Sequence, residues 1–165
     1  MPSEASAKEG RFEILLGISN TFPIMRVLAL DIGEKRIGVS ISDELGITAQ
    51  GLDTINRTKL DEDIEKIRRL VESAGITEIV VGLPLNLDGS EGLSAQKATG
   101  FAGILRRDLG VNVILWDERL STVAAEKSLL EGDLSRRRRK QLRDQVAATL
   151  ILQGYLESLS HPGAN

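Results

Sequence analysis

Three short runs of nearly unbroken apolar residues constrain the fold of this chain most: Val27-Leu28-Ala29-Leu30, Ile79-Val80-Val81 and Val113-Ile114-Leu115-Trp116. A strand that is apolar on both sides needs cover on both faces, the situation of a parallel strand in a sheet flanked by helices. The segments between these runs carry helical stripes, with Leu60, Ile64, Ile67 and Val71 in the first and Ala98, Phe101, Leu105 and Leu109 in the second. Steps of three and four residues place each set on one face of a helix. The spacing therefore predicts buried strands over 27–32, 78–83 and 111–116, parallel to one another and joined by helical crossovers.

The remaining segments complete this plan. Ile37-Gly38-Val39-Ser40-Ile41-Ser42 alternates large apolar with small or polar residues, which reads as a half-buried antiparallel strand. A weaker third strand runs from Ile47 to Ile55. Turns at Gly33–Arg36 and Asp43–Gly46 separate these strands. Thr58 is the expected cap of the first helix, with Asp61 three residues on, and Gly75 ends that helix. Pro84 stops the fourth strand ahead of a loop from Asn86 to Gly92. Ser121 or Thr122 would cap a short helix ending near Gly132, and a closing helix would run from the arginine-rich segment to about Leu159. The order βββαβαβαα implies an α/β fold: a mixed five-stranded sheet with helices on both faces. Residues 25–160 form the expected single domain. Residues 1–24 read as a flexible N-terminal extension, with Met25 as a candidate natural start, and 161–165 as a tail.

Composition removes several chemistries. There is no cysteine, and the single histidine lies at position 161. Thiolate metal sites, disulfides, histidine-based zinc sites and Ser-His-Asp triads are thereby set aside. Catalysis would have to rest on Asp, Glu, Lys or Arg. No stretch approaches the roughly 20 apolar residues of a membrane span, and the lack of cysteine suits the cytoplasm. Net charge is −3, against a uniformly basic coat, yet Arg136, Arg137, Arg138, Arg139, Lys140 and Arg143 crowd together without an acid among them. A local patch of that kind can seat a phosphate backbone.

Three acids fall where this plan would bring them together. Asp31 ends the first strand and Glu118 lies just past the fifth, so both reach the carboxyl edge of the parallel strands, where sites form in such sheets. Asp144 shares a helical face with Ala147, Ala148, Ile151 and Tyr155, the face expected to pack on the sheet. The two alanines let the helix backbone come close. Clustered carboxylates repel one another unless a cation sits between them. An all-oxygen donor set suits Mg²⁺ or Mn²⁺, and a pair of such ions supports phosphodiester hydrolysis.

Four segments then carry a resemblance. Leu30-Asp31-Ile32-Gly33-Glu34-Lys35-Arg36-Ile37-Gly38-Val39-Ser40-Ile41-Ser42-Asp43 is the first and Val80-Val81-Gly82-Leu83-Pro84-Leu85-Asn86, with Asp88-Gly89-Ser90, the second. Trp116-Asp117-Glu118-Arg119-Leu120-Ser121-Thr122 is the third. Asp144-x-x-Ala147-Ala148-x-x-x-Ile151-Leu152-x-x-Tyr155-Leu156 is the fourth. Together, over about residues 25–160, they resemble the YqgF family, also called RuvX, of pre-16S rRNA nucleases and Holliday-junction-resolvase-like proteins. The resemblance implies an RNase H-like fold and a bacterial cytoplasmic protein that matures the 5′ end of 16S rRNA. It assigns catalysis and metal binding to Asp31, Glu118 and Asp144. Nucleic acid is the implied partner, with pre-rRNA favoured over structured DNA and ribosomal precursor particles as the setting.

Around that triad, Lys35, Arg36 and Arg119 are candidate phosphate ligands. Asn86 is a candidate substrate contact, and Arg137, Arg138 and Arg139 would grip a backbone. Asp43 and Asp117 read as structural acids. Aromatic residues make up only 3% of the chain, so shape and phosphate would dominate recognition over base stacking. An Asp-x-Gly hairpin also opens the actin-like sugar kinases, but that architecture needs a second such loop and a second domain, for which 165 residues leave no room.

Overall fold

The computed structural model describes residues 24–120 and 135–163. The expectations for the extension ahead of Ile24 and for the short helix after Ser121 lie outside these residues. Five strands, β1 (Val27–Ile32), β2 (Arg36–Ser42), β3 (Ala49–Asn56), β4 (Glu78–Leu83) and β5 (Asn112–Asp117), form one sheet in the order β3-β2-β1-β4-β5. β1, β4 and β5 are parallel, and β2 and β3 run antiparallel to their neighbours. Helices α1 (Leu60–Ala74) and α2 (Leu93–Leu109) make the two crossovers, and α3 (Arg136–Ser160) closes the fold. This is the mixed α/β sheet that the apolar runs predict.

Alternation along the strands separates two cores. Leu28, Leu30, Val39, Ile41, Ile79, Val81 and Val113 pack with Ile64, Ile67, Phe101 and Leu105 of α1 and α2. Val27, Ala29 and Val80 face the other way and pack with Ile151, Leu152, Tyr155 and Leu156 of α3. Helices therefore cover both faces. Each large apolar side chain of α3 removed from water contributes roughly 1.5–3 kcal/mol.

Three local expectations need correcting. β2 is covered on both faces, with Ser40 and Ser42 buried. The small residues on its second face are not solvated; they form the floor on which α3 docks. The hydroxyl groups find backbone partners: Ser42 Oγ accepts from the Val27 N–H at 2.8 Å and Ser40 Oγ donates to the Gln50 carbonyl at 3.0 Å. At α1, Lys59 occupies the N-cap without a side-chain cap. Asp63, not Asp61, reaches back to the Thr58 N–H at 3.0 Å. Asp63 is buried, and Arg57 Nε, at 3.3 Å, supplies the compensating charge. The third strand also starts later than expected, because Asp43 Oδ1 takes the N–H groups of Ile47 and Thr48 and holds them in the preceding turn.

Candidate active site

Strand parity delivers the acids to one place. Asp31 lies two residues past Ala29 and so faces α3. Ile114 and Trp116 pack on the α3 side of β5, and Glu118, in the 3₁₀ turn Glu118–Leu120, extends the same alternation beyond the strand. β4 lies between β1 and β5. For the two carboxyl groups to meet across it, β4 must carry no side chain at that level, and the residue there is Gly82. A Cβ on Gly82 would run into the Glu118 Oε1 atom and come within 2.5 Å of Ile151 Cδ1. Glu118 thus lies over Gly82 and hydrogen-bonds with Asp31.

A second glycine admits the third acid. Gly38 pairs with Asp31 in the β1–β2 register. A Cβ there would strike the Asp144 backbone carbonyl and come within 3.4 Å of Ala148 Cβ. Gly51 on β3 makes the same kind of room, since its Cβ would lie 2.5 Å from Gln145 Cγ. α3 therefore lies on the sheet by its backbone at Asp144, directly over the neighbour of Asp31. Glycines inside strands are the available sequence signal of such close approach, one that apolar periodicity does not reveal.

The electrostatics follow from the geometry. Burial first, and then the Asp144 charge, push the Asp31 carboxyl up to about 6, while its hydrogen bond with Glu118 works in the opposite direction. Burial, followed by the charge of Asp31, pushes Glu118 up to about 7. Near neutrality the two groups hold a proton between them, the expected outcome when two partly buried carboxyls share a site. Asp144 is compensated differently. Arg36 Nε donates to its Oδ2 at 2.9 Å, with side chains only 16% and 28% exposed. Among the described residues no group of three acids or histidines closes into a ready cation cage. All three acids nonetheless stand on one side of one sheet edge and offer only hard oxygen donors, and Asp31 feels both of the others. That donor set fits Mg²⁺ or Mn²⁺.

The other candidates divide. Lys35 is exposed in the β1–β2 turn at the same edge. Arg36, expected to face a phosphate, instead holds Asp144. Arg119 is gripped by Asp117, through its backbone N–H and Nε at 3.0 Å and Nη2 at 2.7 Å, and leans on the Leu87 carbonyl. The Asp117 carboxyl is accordingly held below its ordinary range. Asn86 donates to Ser90 Oγ at 2.9 Å, and Asp88 accepts from the Ser90 N–H and hydroxyl, so this exposed loop is braced internally. Arg137 and Arg138 are exposed on the first turn of α3, with Ser135 capping it through the Arg138 N–H. The Arg139 side chain lies outside the description. Arg138 borders a hollow with Leu52, Asp53, Thr54 and Asn56, and Asn56 pairs with Arg36 in register. The basic turns of α3 thus stand at the edge that carries the acids, about 9–12 Å along the helix from Asp144.

Comparison with known proteins places this arrangement in context. A family model described as "RuvX: Holliday junction resolvase" matches residues 25–158. A protein of Moorella thermoacetica is 54% identical over 139 residues, covering 84% of this chain and 99% of that protein. One from Carboxydothermus hydrogenoformans is 52% identical over 132 residues, covering 80% and 96%. Both carry the name "Putative pre-16S rRNA nuclease". In backbone, the chain is similar to Thermus thermophilus RuvC in complex with a Holliday junction, with a TM-score of 0.55 at 14% identity, covering 82% of this chain and 97% of that one. The fowlpox virus Holliday junction resolvase follows at 0.51, also at 14% identity, covering 81% and 99%. At such identities the likeness concerns the fold, which is that of RuvC-like resolvases.

Proposed function

The chain belongs to the RuvX family of Holliday junction resolvases, and from that premise we propose that it is a nuclease that hydrolyses phosphodiester bonds with divalent metal ions. The observation that carries this reading is the meeting of Asp31, Glu118 and Asp144 at one sheet edge, made possible by Gly82 and Gly38. Asp31, Glu118 and Asp144 would together hold Mg²⁺ or Mn²⁺, in a two-ion site by our reading, with carboxylate oxygens as the donors. Bound there, such ions would supply Lewis acidity that activates a water and offsets the charge developing at the phosphoryl oxygens.

The remaining residues of the edge would handle the substrate. Lys35 and Arg119 would bind phosphate oxygens beside the scissile bond. Arg119 is held ready by Asp117, so little side-chain freedom is lost on binding. Asn86 stands in a braced loop that would meet the sugar-phosphate chain. Arg137, Arg138 and Arg139 would hold the backbone further along. The name of the relatives, "Putative pre-16S rRNA nuclease", favours pre-16S rRNA as the substrate class. Our reading places the cut at its 5′ end, in ribosomal precursor particles in the cytoplasm, with structured DNA, after the family model's description, as the second reading. Among the described residues no helix is long and apolar enough to cross a membrane.

The test is a cleavage assay with Mg²⁺ and Mn²⁺ on single-stranded RNA, a precursor rRNA leader and a four-way DNA junction, alongside Asp31→Asn and Asp144→Asn. The wild type should cut the leader only when metal is present, and both variants should stay folded and lose activity. Full turnover by either variant would remove that acid from the chemistry.

A further inference from the structure

Arg36 and Asp144 are 108 residues apart in sequence, yet both are fixed at the backbone. The Arg36 carbonyl accepts from the Gly33 N–H at 3.0 Å, which closes the turn next to Asp31. The Asp144 carbonyl rests against Gly38, where no Cβ is tolerated. With these backbone contacts on each side, the two residues meet through their side chains. Arg36 Nε takes Asp144 Oδ2 at 2.9 Å, and the Asp144 charge is near enough to push the Asp31 carboxyl up. Without a cation, a third carboxylate at this spot would repel a pair that already raises its pKa to keep a proton. The guanidinium offsets part of that repulsion.

We infer that Arg36 is a displaceable counter-ion: it compensates Asp144 in the ion-free protein, and a divalent cation must take its place to engage that carboxylate. The inference rests on the metal-nuclease reading above. It gives Arg36 a positioning role rather than contact with substrate. Two cations that compete for one carboxylate also repel each other, so Arg36 weakens ion binding while it preserves the site's shape. Removing its charge should therefore tighten ion binding, whereas removing a merely structural pair would loosen it.

The experiment is a Mn²⁺ titration of the whole chain, with free Mn²⁺ read by electron paramagnetic resonance and folding checked by circular dichroism. Arg36→Gln and Arg36→Met both remove the charge, so either folded variant is informative. Each should bind Mn²⁺ roughly three- to tenfold more tightly than the wild type, the scale of a partly buried ion pair. Arg36→Lys keeps the charge and should stay within about twofold of the wild type. Equal or weaker binding by the neutral variants, with Asp31→Asn still weakening it, would sink the counter-ion role and leave the nuclease reading standing. If the wild type and Asp31→Asn bind Mn²⁺ alike, the metal site itself is wrong and the inference falls with it.

Discussion

The Asp31 and Glu118 carboxyls hold their proton up to about pH 6 and 7 because burial disfavours their charged forms, with the charge of Asp144 adding at Asp31 and the charge of Asp31 adding at Glu118. The consequence for stability has a definite sign. Unfolded carboxyls titrate near pH 4, so from there up to about pH 7 the folded state binds more protons than the unfolded one. Stability must fall as pH rises through that window and level off above it. Urea unfolding of the ion-free wild type should show a loss of about 1–3 kcal/mol between pH 5 and pH 8. In Asp31→Asn the profile should be flatter, since Glu118 then faces a neutral amide. Millimolar Mg²⁺ should restore the wild type at pH 8 and do little for the variant. A wild-type profile as flat as that of the variant would refute the shared proton.

At the scale of elements, the site exists because α3 lies unusually close to β1, β2 and β4. Its C-terminal half is held by side chains. Trp116 and Tyr155 meet edge-to-face at 5.7 Å, and the Tyr155 hydroxyl donates to Glu78. Its N-terminal half is held by the absence of side chains, at Gly38 and Gly51. Adding a methyl group should therefore be costly in these strands and harmless on a surface helix. Gly82→Ala should lose about 1–3 kcal/mol and displace Glu118, weakening Mn²⁺ affinity along with stability. Gly100→Ala in α2, where an added Cβ meets nothing within 4 Å, should gain up to about 1 kcal/mol from helix propensity. Chemical denaturation of both variants checks the pair. Equal effects would mean that backbone approach is not what positions the acids.

At the scale of the whole molecule, an acidic protein of net charge −3 would bind a polyanion through a local feature rather than its overall field. The basic turns of α3 supply one, beside the acid edge. Replacing Arg137, Arg138 and Arg139 with Gln should weaken RNA binding and reduce the slope of log affinity against log salt by about 2–3 units. An unchanged slope in a salt titration would make the run irrelevant to binding. Much of this plan is legible along the chain because it depends on local periodicity. Apolar runs mark the buried parallel strands, and three- and four-residue spacing marks the helices and the inward face of α3. Acids at strand ends mark the edge that matters. The contacts across the sheet are not legible in that way. Nothing local shows that Arg36 turns to Asp144, that Asp63 rather than Asp61 closes the start of α1, or that the small face of β2 is a docking floor instead of a wet surface. Each depends on which distant backbone arrives within van der Waals range, and alternation alone reads the same whether water or a helix covers the small residues. Periodicity thus identified the strands, the helices and the three acids; only packing in space set which groups neutralise them and how closely they meet, because charge compensation and steric clearance belong to pairs of residues far apart in the chain.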